Sequence, residues 1–132
     1  MINGIIVGHG NFAYSILETA QGILGKQEGI ETISNVGLSC EQLNQKIKEA
    51  LNRTKSPHIV FVDLPGGSCG ISCLNLLRED KNIRVVCGVN LPMLLEFFLL
   101  REKYDVDELV QILIKKGRDN IIKLGGNFGD PG

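Results

Sequence analysis

The sequence predicts an α/β fold: three layers, with a four-stranded parallel sheet covered by helices on both faces. Three observations lead there. Short aliphatic runs and amphipathic helical segments alternate four times along the chain, and right-handed crossovers turn that pattern into a parallel sheet. The runs are apolar at nearly every position, as in strands buried on both faces. The chain has 132 residues, enough for one domain and too few for two.

The elements follow in order. Residues 2–8 are an aliphatic run ending in glycine and read as a buried strand. Phe12, Ile16, Leu17, Ala20 and Leu24 then recur at helical spacing, with Gly22 and Gly25 closing the segment. Residues 30–36 form a weaker second strand. Ser39 and Gln42 spell a capping box, and the helix they open carries Leu43, Ile47, Ala50 and Leu51 on one face. Residues 58–64 are the strongest strand, rich in β-branched and aromatic side chains. Pro65, Gly66, Gly67 and Ser68 punctuate it, and Ile71, Leu74 and Leu77 mark a third helix. Residues 83–89 are the fourth strand. Two helices follow, over residues 93–101 and 107–116, with Pro92 placed to start the first and Gly117 read as breaking the second. Residues 120–124 read as a last short strand, residues 1–125 as the domain, and residues 126–132 as a tail or linker.

Composition narrows the function. Lys+Arg 14 against Asp+Glu 15 leaves no excess positive charge to draw phosphate backbones or acidic lipid, so nucleic acid and membrane surfaces are poor partners. No basic, apolar leader opens the sequence, and the apolar stretch at 91–100 is interrupted by Pro92 and Glu96. The four cysteines, Cys40, Cys69, Cys73 and Cys87, form no C-x-x-C pair and read as reduced, buried thiols of a cytoplasmic protein.

In open parallel sheets, ligands bind beyond the carboxyl ends of the strands, where strand order reverses. Gly8-His9-Gly10-Asn11 follows the first strand, Asp63 to Ser68 the third, and Gly88-Val89-Asn90 the fourth. In the common order 2-1-3-4, His9 and Asp63 become neighbours across the switch point. A carboxylate can hold the imidazole in one tautomer and leave its other nitrogen free to attack. The amides of Gly66, Gly67 and Ser68 at a helix start make a seat for an anion. Together these parts suit a histidine that accepts a phosphoryl group.

Other readings stand beside it. Each motif has a purely structural reading, with Asp63 as a turn former and Gly66-Gly67-Ser68 as a tight turn and cap. His58 lies at the far end of its strand and reads as a surface or edge residue. Gly8 to Ala13 fits the loose dinucleotide fingerprint G-x-G-x-x-A, with Glu28 or Glu31 as a ribose acid, although 132 residues cannot hold both halves of a full dinucleotide fold. No P-loop occurs. A metal is not expected, because the two histidines fall at opposite ends of the sheet and no acidic cluster accompanies them. Cys69 and Cys73, four residues apart on the third helix, read as a buried face, with a reactive thiol at Cys69 the competing view. A small-molecule or nucleotide-binding module and a regulatory docking protein are the two alternatives to a phosphocarrier.

Three motifs occur in order: Gly4 to Gly10 with its following helix, Val62-Asp63 with Gly66-Gly67-Ser68, and Gly88 to Glu96. Jointly, and with the stretch from Asp107 to Arg118, they resemble the mannose-family enzyme IIA component of the bacterial sugar phosphotransferase system. The resemblance implies a phosphohistidine relay. His9 would be phosphorylated through Nε2, with Asp63 orienting Nδ1–H and Gly66, Gly67 and Ser68 holding the phosphoryl oxygens. The donor would be the histidine-containing phosphocarrier HPr and the acceptor an enzyme IIB, with the membrane reached only through the sugar permease. It also implies a fifth, antiparallel edge strand at 120–124, exchanged in a homodimer, and no cofactor or metal. Two places depart from the usual pattern: Cys69-Gly70-Ile71 stand where many members carry Pro and a bulky residue, and Gly8 replaces a Thr or Ser.

Overall fold

The computed structural model describes residues 1–125, and the expected tail lies outside the described residues. Nine elements follow in sequence: β1 (Asn3–Gly8), α1 (Phe12–Leu24), β2 (Ile30–Ser34), α2 (Cys40–Arg53), β3 (His58–Val62), α3 (Gly67–Glu79), β4 (Ile83–Cys87), α4 (Leu91–Leu100) and α5 (Val106–Asp119). The strands form one parallel sheet in the order β2-β1-β3-β4, as the alternation predicts.

Strand alternation divides the core in two. Ile6, Ile59, Phe61 and Val86 point to one face and meet α1, α4 and α5 through Ala20, Leu94, Phe97, Leu109 and Leu113. Ile5, Val7, Val60 and Val62 point to the other and meet α2 and α3 through Leu43, Ile47, Cys69, Cys73 and Leu76. Phe61 and Phe97 pack edge to face with centroids 5.0 Å apart. Full burial of side chains this size contributes about 1.5–3 kcal/mol each.

The helix starts are chemically specified. Ser39 Oγ accepts from Gln42 N at 3.1 Å while Gln42 Oε1 accepts from Ser39 N at 2.9 Å, closing the expected capping box. Asn90 caps α4 by accepting from Met93 N at 3.1 Å, and Asp105 caps α5 by accepting from Glu108 N at 2.9 Å.

Three expectations are corrected. Gly117 does not break a helix; it lies buried inside α5, where Met93 and Asn90 approach too closely for a side chain. The four thiols are not all buried: Cys40 and Cys87 are exposed, whereas Cys69 and Cys73 form the buried face of α3 as expected, with Leu76, leaving Ile71 and Leu74 about half exposed. His58 is buried, and its Nε2 lies 2.7 Å from Thr54 Oγ1. Residues 121–124 follow α5 outside the four strands, with Ile121, Ile122 and Leu124 exposed. Among the described residues no helix is long and apolar enough to cross a membrane.

Candidate functional site

The chain leaves β1 toward α1 on one face of the sheet and leaves β3 toward α3 on the other. Because β1 and β3 are neighbours, their carboxyl ends open a crevice between the departing loops. His9 follows β1 and Asp63 follows β3, so the pairing of Val7 with Val62 brings them together across 54 residues of sequence.

Asp63 Oδ2 accepts from His9 N at 2.8 Å and lies 2.8 Å from His9 Nδ1. Asp63 Oδ1 accepts from Leu64 N at 2.9 Å. Burial pushes the Asp63 carboxyl upward, but the hydrogen bonds from His9 and Leu64 outweigh it and hold the pKa below the ordinary carboxylate range. An ionised carboxylate only accepts, so Nδ1 carries the proton and Nε2 keeps its lone pair. The His9 side chain is 39% exposed and that of Asp63 10%, so the imidazole is open and its anchor is covered.

The free nitrogen faces the start of α3. A Cβ built on Gly67 would lie 3.1 Å from both Nε2 and Cε1 of His9, so this backbone sits directly against the ring. Gly67 also has φ +72°, which favours glycine on conformational grounds. The N-cap is Gly66, and no side chain caps the helix. Its first-turn amides therefore have no side-chain acceptor and point where an anion can rest. Ser68 is half-buried one residue further on.

The crevice is completed by residues that the sequence did not mark. Ser34 Oγ donates to Gly10 O at 2.7 Å, and Gly10 N donates to Asn35 Oδ1 at 3.1 Å. The end of β2 thus clamps the loop that carries His9. Asn90, in contrast, is spent on structure: it caps α4 and donates to Gly117 O at 2.9 Å. Cys69 is fully buried, and burial, followed by the charge of Asp63, raises its thiol pKa. Burial also pushes Cys73 up to about 12. A neutral thiol does not attack, which argues against the thiol-enzyme reading. Ligand atoms of His9, Asp63 and Cys69 nevertheless all lie within 4.8 Å of one another, and these are the residues able to hold a metal.

Residues 4–114 match the family described as the phosphotransferase system fructose IIA component. The chain belongs to the mannose-family IIA components of the bacterial sugar phosphotransferase system. Members of this family transfer phosphate within that system and work with HPr and an enzyme IIB.

Particular relatives of this IIA component agree. It is 32% identical to a fructose-specific EIIA component of Bacillus subtilis, over 86% of this chain and 80% of that one. It is 33% identical to a mannose-specific EIIAB component of Escherichia coli, over 94% of this chain but 40% of the relative, so the chain spans less than half the length of that protein. The crystal structure of an EIIA component from Streptococcus agalactiae superposes with a TM-score of 0.86 at 33% identity, covering 93% of this chain and 97% of the other. A mannose/sorbose-specific IIA subunit from Enterococcus faecalis gives 0.81 at 25% identity, covering 92% and 93%. The dinucleotide reading of the Gly8 to Ala13 segment finds no support among these relatives.

Proposed function

We propose that this IIA component is a cytoplasmic phosphocarrier that accepts a phosphoryl group from phospho-HPr on His9 Nε2 and passes it to an enzyme IIB for sugar uptake. The observation that carries the reading is the 2.8 Å pairing of Nδ1 with Asp63, which leaves Nε2 unprotonated against the uncapped start of α3. The lone pair of Nε2 attacks phosphorus, the donor's P–N bond breaks, and the donor histidine keeps that electron pair. The Nδ1 proton stays on His9, where Asp63 offsets the positive charge that develops on the ring. Amides of Gly66, Gly67 and Ser68 hold the phosphoryl oxygens together with the Ser68 hydroxyl. Transfer to the enzyme IIB repeats the step in the opposite sense, and the membrane is involved only through the sugar permease.

Residues 1–125 constitute the phosphocarrier domain. The segment 120–124 adds antiparallel to the sheet edge of a second copy, giving a homodimer. Its exposed Ile121, Ile122 and Leu124, and the place of β4 at the end of the strand order among the described residues, support this exchange.

The test is labelling by phosphoenolpyruvate with the general carriers. The wild-type chain acquires an acid-labile phosphate and His9→Ala acquires none. Label persisting on His9→Ala, or stabilisation of the chain by a dinucleotide without any labelling, overturns the reading.

A further inference from the structure

His9, Asp63 and Cys69 bring an imidazole nitrogen, a carboxylate oxygen and a sulfur within 4.8 Å of one another. The three come from two loops and a helix: the ends of β1 and β3 and the first turn of α3. In a tetrahedral zinc site the bonds are about 2.0–2.3 Å, which puts neighbouring ligand atoms roughly 3.3–3.8 Å apart. Nδ1 and Asp63 Oδ2 already approach more closely than that, at 2.8 Å, so the set closes on a cation by small rotations of the side chains. A nitrogen, an oxygen and a sulfur exclude magnesium and calcium, which take oxygen ligands, and suit zinc or a metal of similar softness.

We propose that His9, Asp63 and Cys69 form a binding site for a thiophilic divalent cation such as zinc, and that this cation and the phosphoryl group exclude each other. The second half rests on the phosphocarrier reading; the first half does not. Binding releases the Cys69 proton to solvent and changes no oxidation state. Thiolate and carboxylate then cancel the charge of the ion, so the amides at the start of α3 face a neutral centre with a water in the fourth position. Ligation through Nδ1 leaves the single ring proton on Nε2, where it blocks the attacking lone pair, and ligation through Nε2 occupies that lone pair with the metal. Either way His9 ceases to accept phosphate. The buried thiol, which has no part in phosphoryl transfer, thereby gains a role as a brake on it.

The site is tested on the full chain with Co2+ as the spectroscopic probe. A thiolate-to-cobalt charge-transfer band is expected in the wild type, absent in Cys69→Ser and retained in Cys40→Ser and Cys87→Ser, whose thiols are exposed. Where Cys69→Ser fails to fold, His9→Ala and Asp63→Asn serve instead, and both must weaken cobalt binding. A band that survives all three substitutions, or no band in the wild type, overturns the proposal. Single-step transfer from purified phospho-HPr is then timed with and without Zn2+. At about ten times its Kd the cation slows the wild type about tenfold, as mass action requires, and a chelator restores the rate. In Cys69→Ser the ratio of the two rates stays near one; equal slowing in both proteins overturns the exclusion. A wild-type chain that is never labelled without Zn2+ refutes the phosphocarrier reading alone and leaves the cobalt result to decide the metal site.

Discussion

A single oxygen of Asp63 binds His9 twice: Oδ2 accepts from the backbone N–H and from the ring Nδ1, each at 2.8 Å. The first bond fixes where the loop after β1 runs and the second fixes which ring nitrogen is free. Position and tautomer are thus set by one buried group rather than by two.

Asp63→Asn separates these effects. The amide oxygen still accepts from His9 N, so the fold is retained, but the charge that opposes the developing imidazolium is gone. Phosphoryl transfer from phospho-HPr is expected to slow by up to about 10⁴-fold, the loss that follows when a tautomer-setting aspartate becomes asparagine. Rapid-quench transfer kinetics beside a thermal melt check this; an unchanged rate contradicts the role given to Asp63.

Two groups give stability a defined pH dependence. The Asp63 pKa is depressed in the folded chain by the His9 and Leu64 hydrogen bonds, despite burial. Its contribution is complete above the unfolded value of about 3.9 and is lost as pH falls through the lower folded value. The pKa of His58 is depressed by burial, so protonation favours the unfolded chain once pH drops below about 6.5. Both slopes have the same sign: stability falls with falling pH. Urea denaturation across pH should show the upper step flattened in His58→Gln and the lower one in Asp63→Asn.

The dimer proposal predicts that removal of residues 120–132 leaves the parallel sheet intact and abolishes self-association. Analytical ultracentrifugation of the truncated and full chains, with circular dichroism for the fold, makes the comparison. A truncated chain that still dimerises rules out exchange of this segment.

Much of this site was readable because it sits at strand ends. A buried strand ending in Gly8-His9 and another ending in Asp63 need only the parallel order to meet, and the alternation of elements supplies that order. The buried face of α3 was legible in the spacing of Cys69 and Cys73, although Ile71, Leu74 and Leu77 form an apolar helical series as good. Which series faces the sheet depends on how the Gly66-Gly67 turn aims the helix, a tertiary fact. Ser34 and Asn35 gave no signal, since their role consists of bonds to Gly10 that exist only once β2 lies beside β1. Gly117 misled for a related reason: glycine ends helices by its backbone freedom, whereas here it serves close approach to Met93 and Asn90.

Gly67→Ala tests whether the start of α3 is fitted to the ring. The new Cβ stands 3.1 Å from Nε2 and Cε1 of His9, and the backbone at φ +72° disfavours any side chain by roughly 1–2 kcal/mol. Gly25 provides the control, with φ +91° and nothing within 4 Å of an added Cβ. Both Gly67→Ala and Gly25→Ala should lower the melting temperature. Only the first should also slow phosphoryl transfer, because the His9 ring must give way by a few tenths of an ångström; a full ångström would cost about 10²-fold, so a loss of up to about tenfold is expected. Equal transfer rates in the two variants would mean that the glycine answers to backbone strain alone and that Nε2 does not work against this helix.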